Sequence, residues 1–283
     1  MIKRVAALVL FALVFALPAA AQDLAGVDIP YERHVLDNGL TVLIHVDRTA
    51  PQAFVNVYYK VGSRDERPGK TGFAHLFEHL MFNGSENHDD EYFGTIQDVG
   101  GSANGDTFFD RTRYYQTVPN TALERVLWLE SDRMGHLLGA VTEEKVDEQR
   151  GVVQNEKRRG DNRPYADAGD KLLAGLYPQG HPYSWSSIGS MEDLDAASLE
   201  DVKDWFRENY GAANTVLVLA GDIDAATALP VLEERFAGWA PKALPEPTKA
   251  ALPMTPGRSS PGMPGPWSRT TTRSSPRSRM TST

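Results

Sequence analysis

Two histidines four residues apart, with a glutamate between them, constrain this chain more than any other stretch. In His75-Leu76-Phe77-Glu78-His79 the spacing asks for a helix. Residues four apart on a helix lie on one face, one turn above the other. Two imidazole nitrogens placed that way can reach one tetrahedral zinc, at metal–nitrogen distances of about 2.0–2.1 Å. Glu78 borders the same site, where its carboxylate can take a proton from a metal-bound water. The bland alternative, two partly buried helix histidines without a metal, stays open on these five residues alone.

A catalytic zinc takes three protein ligands and leaves one position open. The chain has no cysteine, so the third donor is expected to be a carboxylate. Without disulfides, stability must come from a core, and 283 residues, 41% of them hydrophobic, can build one. Residues 142–159 read as a helix carrying Glu143, Glu144, Asp147, Glu148 and Glu156. Most of these belong to a solvated face. Glu156 stands out because it follows Val152 and Val153 by four and three residues, on a face otherwise apolar. A glutamate buried there needs a partner, and a metal would supply one.

The rest of the chain mixes strands and helices without strict alternation. Residues 31–46 read as a hairpin turning at Asp37-Asn38-Gly39. Residues 53–61 read as a third strand, and 62–72 as a loop into the motif helix, which Asn83-Gly84 should end. A short helix over 92–99 precedes two paired strands, 102–108 and 112–118. Helices are expected over 121–138, 142–159 and 165–176, the first two with capping chemistry at Asn120-Thr121 and Thr142. A helix over 198–209, a strand over 215–220 and a helix over 225–237 follow. The pattern predicts an α+β domain, a mainly antiparallel sheet packed against helices.

The ends differ from this body. Basic Lys3-Arg4, an apolar run over 5–17 and Pro18-Ala19-Ala20-Ala21 form a secretory signal peptide, residues 1–21, cut before Gln22. The apolar run is shorter than the ~20 residues a membrane anchor needs, so no stable membrane span is expected. Its style is bacterial, which places the product in the periplasm or outside the cell. From Thr255 to Thr283, Ser, Thr, Pro and Arg make up 23 of 29 residues. Residues 251–283 are therefore expected to be a disordered tail. Arginine without lysine among Ser, Thr and Pro is also what a GC-rich gene yields in the wrong frame, so the tail reads as a frameshift product. Between the two ends, 22 basic side chains face 38 acidic ones, a net charge of −16. Such a body is a poor partner for nucleic acid.

The segment GFAHLFEHLMFN (72–83), followed after 76 intervening residues from His79 by Glu156 within VVQNEKR, resembles the pitrilysin–insulinase–mitochondrial processing peptidase family of zinc endopeptidases. The resemblance runs from about Tyr31 to Trp239 and includes SANGDTFFDRTRYY and HPYSWSSIGSMEDL. It implies a zinc peptidase domain over residues 22–250, with one zinc per chain held by His75, His79 and Glu156, and with Glu78 as general base. It also implies that an extended peptide substrate adds as a strand beside Gly101, Ser102, Ala103 and Asn104. Where the family often carries a second acid, seven residues before the distal ligand, this chain has Gln149, which can hydrogen-bond but carries no charge.

Family members usually have a second homologous domain that closes over the first and contributes an Arg-Tyr pair at the zinc. The resemblance therefore leads us to expect a homologous partner subunit supplying that half. Two readings compete: a secreted zinc endopeptidase acting on small extended or unfolded peptides, and a truncated or non-catalytic peptide-binding subunit. A hydrolase of the S-ribosylhomocysteine lyase type is disfavoured, because that type relies on cysteine. Translating the DNA downstream of codon 253 in the other two frames should return an apolar, α/β-patterned second domain with an Arg and a Tyr. Finding none in either frame would make a neighbouring gene the next place to look for the other half.

Overall fold

Alternation along the strands decides which way the sheet faces. The structure, a computed structural model, describes residues 29–239 and Ala250. The expected signal peptide and all of the expected tail lie outside the described residues. These residues form six strands: β1 (Glu32–Val35), β2 (Thr41–Val46), β3 (Gln52–Tyr59), β4 (Ser102–Thr107), β5 (Thr112–Pro119) and β6 (Thr215–Gly221). Eight α-helices accompany them. They are α1 (Phe73–Leu80), α2 (Tyr92–Asp98), α3 (Leu123–Gly135), α4 (Glu143–Asp161), α5 (Ala168–Leu176), α6 (Met191–Asp195), α7 (Leu199–Asn209) and α8 (Ala225–Phe236).

The period-two pattern of β3 buries Ala53, Val55, Val57 and Tyr59, and that of β5 buries Thr112, Tyr114, Gln116 and Val118. The register sets these inward residues against one another, Val55 opposite Gln116 and Val57 opposite Tyr114. On the other side of β3, Leu219 and Leu217 of β6 meet the same two valines. The sheet order is β1-β2-β6-β3-β5-β4. Every pair is antiparallel except β2 with β6, so the expected α+β fold with a mainly antiparallel sheet is the one found. The β1–β2 hairpin turns where Asp37-Asn38-Gly39 predicts, with Gly39 at φ 88°. Strand β4 pairs with β5 alone and forms an edge of the sheet.

Several boundaries depart from expectation. Helix α1 stops at Leu80 rather than at Asn83-Gly84, because tighter bonds take over (Phe82 N–H to the His79 carbonyl, Asn83 N–H to that of Leu80). Helix α3 starts at Leu123 after a 3-10 turn over Asn120–Ala122 and has no side-chain cap. Thr142 does cap α4, accepting from Lys145 N–H. The segment from 165 is helical only from Ala168, and Tyr165 stands in the left-handed region at φ 61°. The short α6, capped by Ser190, was not expected. Among the described residues no helix is long and apolar enough to cross a membrane.

Beneath the end of α1 lies a buried ion pair. Arg133 donates to both oxygens of Glu130, from Nε at 2.8 Å and Nη2 at 2.5 Å. Glu130 Oε1 also accepts from Tyr92 Oη (3.0 Å) and Gln116 Nε2 (2.6 Å). The guanidinium lies 4.3 Å from the Tyr92 ring and 4.6 Å from that of Tyr114. With the pair wholly buried, removing one partner strands a charge. Arg133→Met should therefore cost about 3–5 kcal/mol in urea denaturation. Restoring neutrality with Glu130→Leu in the same chain should recover much of that loss.

Candidate metal centre

Helix α1 presents two faces. Leu76, Phe77 and Leu80 are buried in the core, with the Phe77 ring 4.5 Å from Tyr210 and 5.7 Å from Phe206. The opposite face carries His75, Glu78 and His79 into a cleft of about 540 Å³. The helix is fixed at its N-terminus by residues far away in sequence. Glu66 accepts from Ala74 N–H (2.9 Å) and from Trp185 Nε1 (3.0 Å), satisfying a backbone donor that the helix leaves free. Asp193 accepts from Thr71 N–H and Oγ1. Gly72 (φ 89°) and Gly189 (φ 74°) lie back to back, and a Cβ on Gly72 would sit 2.7 Å from the Ile188 carbonyl. Only glycine fits such an approach. The HPYSWSSIGSMEDL stretch thus clamps the start of the motif helix.

Helix α4 runs beside α1 and delivers the third donor. Glu156 Oε2 stands 3.7 Å from His75 Nε2 and 3.5 Å from His79 Nε2. One donor atom from each of the three residues lies within 4.8 Å of the others. Tetrahedral ligands at about 2.0–2.2 Å from zinc stand about 3.3–3.6 Å apart, so both distances lie within a few tenths of an ångström of what the ion would impose. The His75 imidazole is pushed down to about 4 by burial and by the neighbouring His79, which keeps it neutral with a lone pair to give. His79 Nδ1 lies 3.2 Å from Gln149 Oε1. An amide oxygen only accepts, so the proton sits on Nδ1 and Nε2 faces the donor cluster. These residues fit a zinc ion.

Glu78 is 7% exposed, and its Oε2 accepts from Thr107 Oγ1 at 2.5 Å. Burial raises its carboxyl to about 7; the Thr107 bond opposes the rise, and Asp106 and Glu156 add to it. Glu156 itself is not buried as expected, since 37% of its side chain is exposed. Of its two valines only Val153 is buried, while Val152 lines the cleft. The face of α4 that carries Glu156 is the wall of an open cleft, and a carboxylate there keeps part of its hydration.

His75, Glu78, His79, Asn104, Gln149 and Glu156 all line this cleft. Ser102 and Ala103 lie on β4 leading up to it, and Gly101 just precedes the strand. Phe82 and Phe93, stacked at 4.4 Å, add an apolar wall. Sequence reading missed Thr107, which two-residue alternation from Gly105 could have placed on the side facing Glu78. It also missed Glu66 and Trp185, for which no local signal exists.

Comparison with known proteins agrees with this geometry. The family model described as Insulinase (Peptidase family M16) matches residues 41–181, a span holding all three candidate ligands and Glu78. The model described as Peptidase M16 inactive domain matches residues 196–270. Zinc protease PqqE of Helicobacter pylori is 32% identical over 209 residues, covering 73% of this chain and 46% of that protein. A probable mitochondrial-processing peptidase subunit beta of Schizosaccharomyces pombe is 27% identical, covering 75% of this chain and 46% of its own. The chain spans about half the length of the curated relatives it matches. Among solved structures, a protease from Helicobacter pylori superimposes with a TM-score of 0.73 at 32% identity, over 78% of this chain and 54% of that one. Pitrilysin, at 23% identity and a TM-score of 0.70, covers 79% of this chain and 24% of its own and shares the fold.

Burial raises the Glu66 carboxyl to about 8, outweighing the donors at Ala74, Gly72 and Trp185. The native state thus keeps a proton that the unfolded chain gives up near 4.5. The resulting stability is fully present below pH 4.5 and is lost as pH rises to about 8. In urea denaturation of metal-free protein this one group should contribute a decline of the order of 4 kcal/mol across that window, read as the difference between wild type and Glu66→Gln. Glu66→Gln should remove this contribution and leave the pH dependence that Glu78 and His75 bring.

Proposed function

The chain belongs to the insulinase family of peptidases (peptidase family M16), and we propose that it is a zinc metalloendopeptidase cutting small, extended or unfolded peptides. The observation that carries this reading is the convergence of His75, His79 and Glu156 on one point beside a buried Glu78. In this reading His75 Nε2, His79 Nε2 and a Glu156 oxygen hold one zinc. The bound ion supplies a Lewis acid that polarises the scissile carbonyl and acidifies water. Glu78 accepts the proton of the attacking water as the new C–O bond forms. It then gives that proton to the amine nitrogen as the C–N bond breaks. Burial, which raises the Glu78 carboxyl, favours a group that can hold the proton between the two transfers. Gln149 keeps His79 in the tautomer that leaves Nε2 free. The free edge of β4, with Gly101, Ser102, Ala103 and Asn104 along it, takes an extended peptide as an added strand.

A second homologous half, in the same polypeptide or in a partner chain, would close this cleft. The length of the relatives and the exposure of Glu156 support that part of the reading. The leader at 1–21 supports export from a bacterial cell to the periplasm or beyond. The match of residues 196–270 to an inactive-domain model favours a second reading, a peptide-binding subunit that does not cleave. The presence of Glu78 speaks against it, since binding alone needs no base.

Hydrolysis of a flexible quenched peptide by the zinc-loaded chain, alone and with a candidate second half, decides between them. Cleavage should be lost on chelation, and Glu78→Gln should lower it at least about 100-fold while still binding zinc. His79→Ala should instead lose the metal. Bound zinc with no cleavage under any partner condition would establish the second reading.

A further inference from the structure

One strand confines Glu78 from two sides. Thr107 Oγ1 donates to Glu78 Oε2 at 2.5 Å, while a Cβ built on Gly105 would stand 3.0 Å from Glu78 Oε1 and 3.0 Å from the Phe82 ring. Residues 105 and 107 are two apart on β4 and so face the same way. Thr107 is itself buried and is held in register opposite Thr112. The last torsion of a glutamate is broad and roughly two-fold, so an untethered carboxylate would exchange its oxygens and swing. A hydroxyl on one oxygen ends that freedom, and the missing side chain at Gly105 leaves room for the other.

We propose that Thr107 is a positioning residue for Glu78: its hydroxyl pins one carboxylate oxygen so that the other faces the cleft and handles the proton. The effect on rate rests on the peptidase reading, whereas the grip on Glu78 does not. The same strand carries Ser102, Ala103 and Asn104, so the edge that would align a peptide also carries the residue that aligns the base. A shift of β4 would move both together.

The full chain with Thr107→Val and with Thr107→Ser tests this. In metal-free protein, isotope-edited infrared spectra, with Glu78→Gln subtracted, read the carboxyl stretch of Glu78. The band should move in Thr107→Val and return in Thr107→Ser. In zinc-loaded protein, Thr107→Val should lower kcat by about 10- to 100-fold. KM and zinc affinity, the latter measured by chelator competition, should be unchanged, and Thr107→Ser should recover most of the rate. A Thr107→Val band superimposable on that of the wild type, or a Thr107→Ser variant as impaired as Thr107→Val, overturns the proposal. If the wild type does not cleave at all, the peptidase reading falls, and the infrared comparison still decides the role of Thr107.

Discussion

An eight-residue helix is too short to hold its own shape in water, and the candidate metal centre is built on one, α1. Its geometry is therefore imposed from outside. Phe73, Leu76, Phe77 and Leu80 are each worth about 1.5–3 kcal/mol once buried, and they fix which way the helix faces. The clamp at its start, made by Glu66, Trp185 and the Gly72–Gly189 approach, fixes where it begins. The Arg133–Glu130 pair supports the chain just past its end, where Arg133 faces the Phe82 ring. If that packing is lost, His75 and His79 still share a face, but Glu156 has no fixed point to meet.

The second constraint is that β4 serves as both sheet edge and site wall. Edge strands leave backbone groups unpaired and are a liability unless they are used or covered. Here the edge ends beside Glu78, with Asn104 and Gly105 in the cleft and Thr107 bonded to its carboxylate. Under the proposed function, an added strand would lie next to Glu78. The cleft is open, and Glu156 keeps partial contact with solvent. In water the attraction between its charge and a cation is weakened, so a surface that closed over it would strengthen the site.

Much of this was legible in the chain itself. The β3 and β5 alternation, the Asp37-Asn38-Gly39 turn and the Thr142 cap are local features, and all of them are present in the fold. The pairing of His75 with His79 followed from spacing. What failed was local too: the end of α1, the start of α3 and the burial of Glu156. At the end of α1 and at Glu156, surroundings that the local pattern does not encode changed the outcome. The C-terminal turn of α1 tightens so that Phe82 can pack on Tyr92, Phe93 and Tyr114. Glu156 looked buried because two valines precede it, yet Val152 borders a cleft that periodicity could not reveal.

By itself the sequence determined the donor types and their spacing on each helix, because helical period and side-chain chemistry are local properties. It also determined that no thiol could serve as a ligand. Only the tertiary structure decided that α4 lies beside α1 with Glu156 within 3.7 Å of both imidazoles. It alone placed Thr107 on Glu78 and Glu66 beneath the start of the motif helix. Those contacts join residues from 8 to 81 positions apart, and they depend on which surfaces the core buries together, which no local pattern encodes.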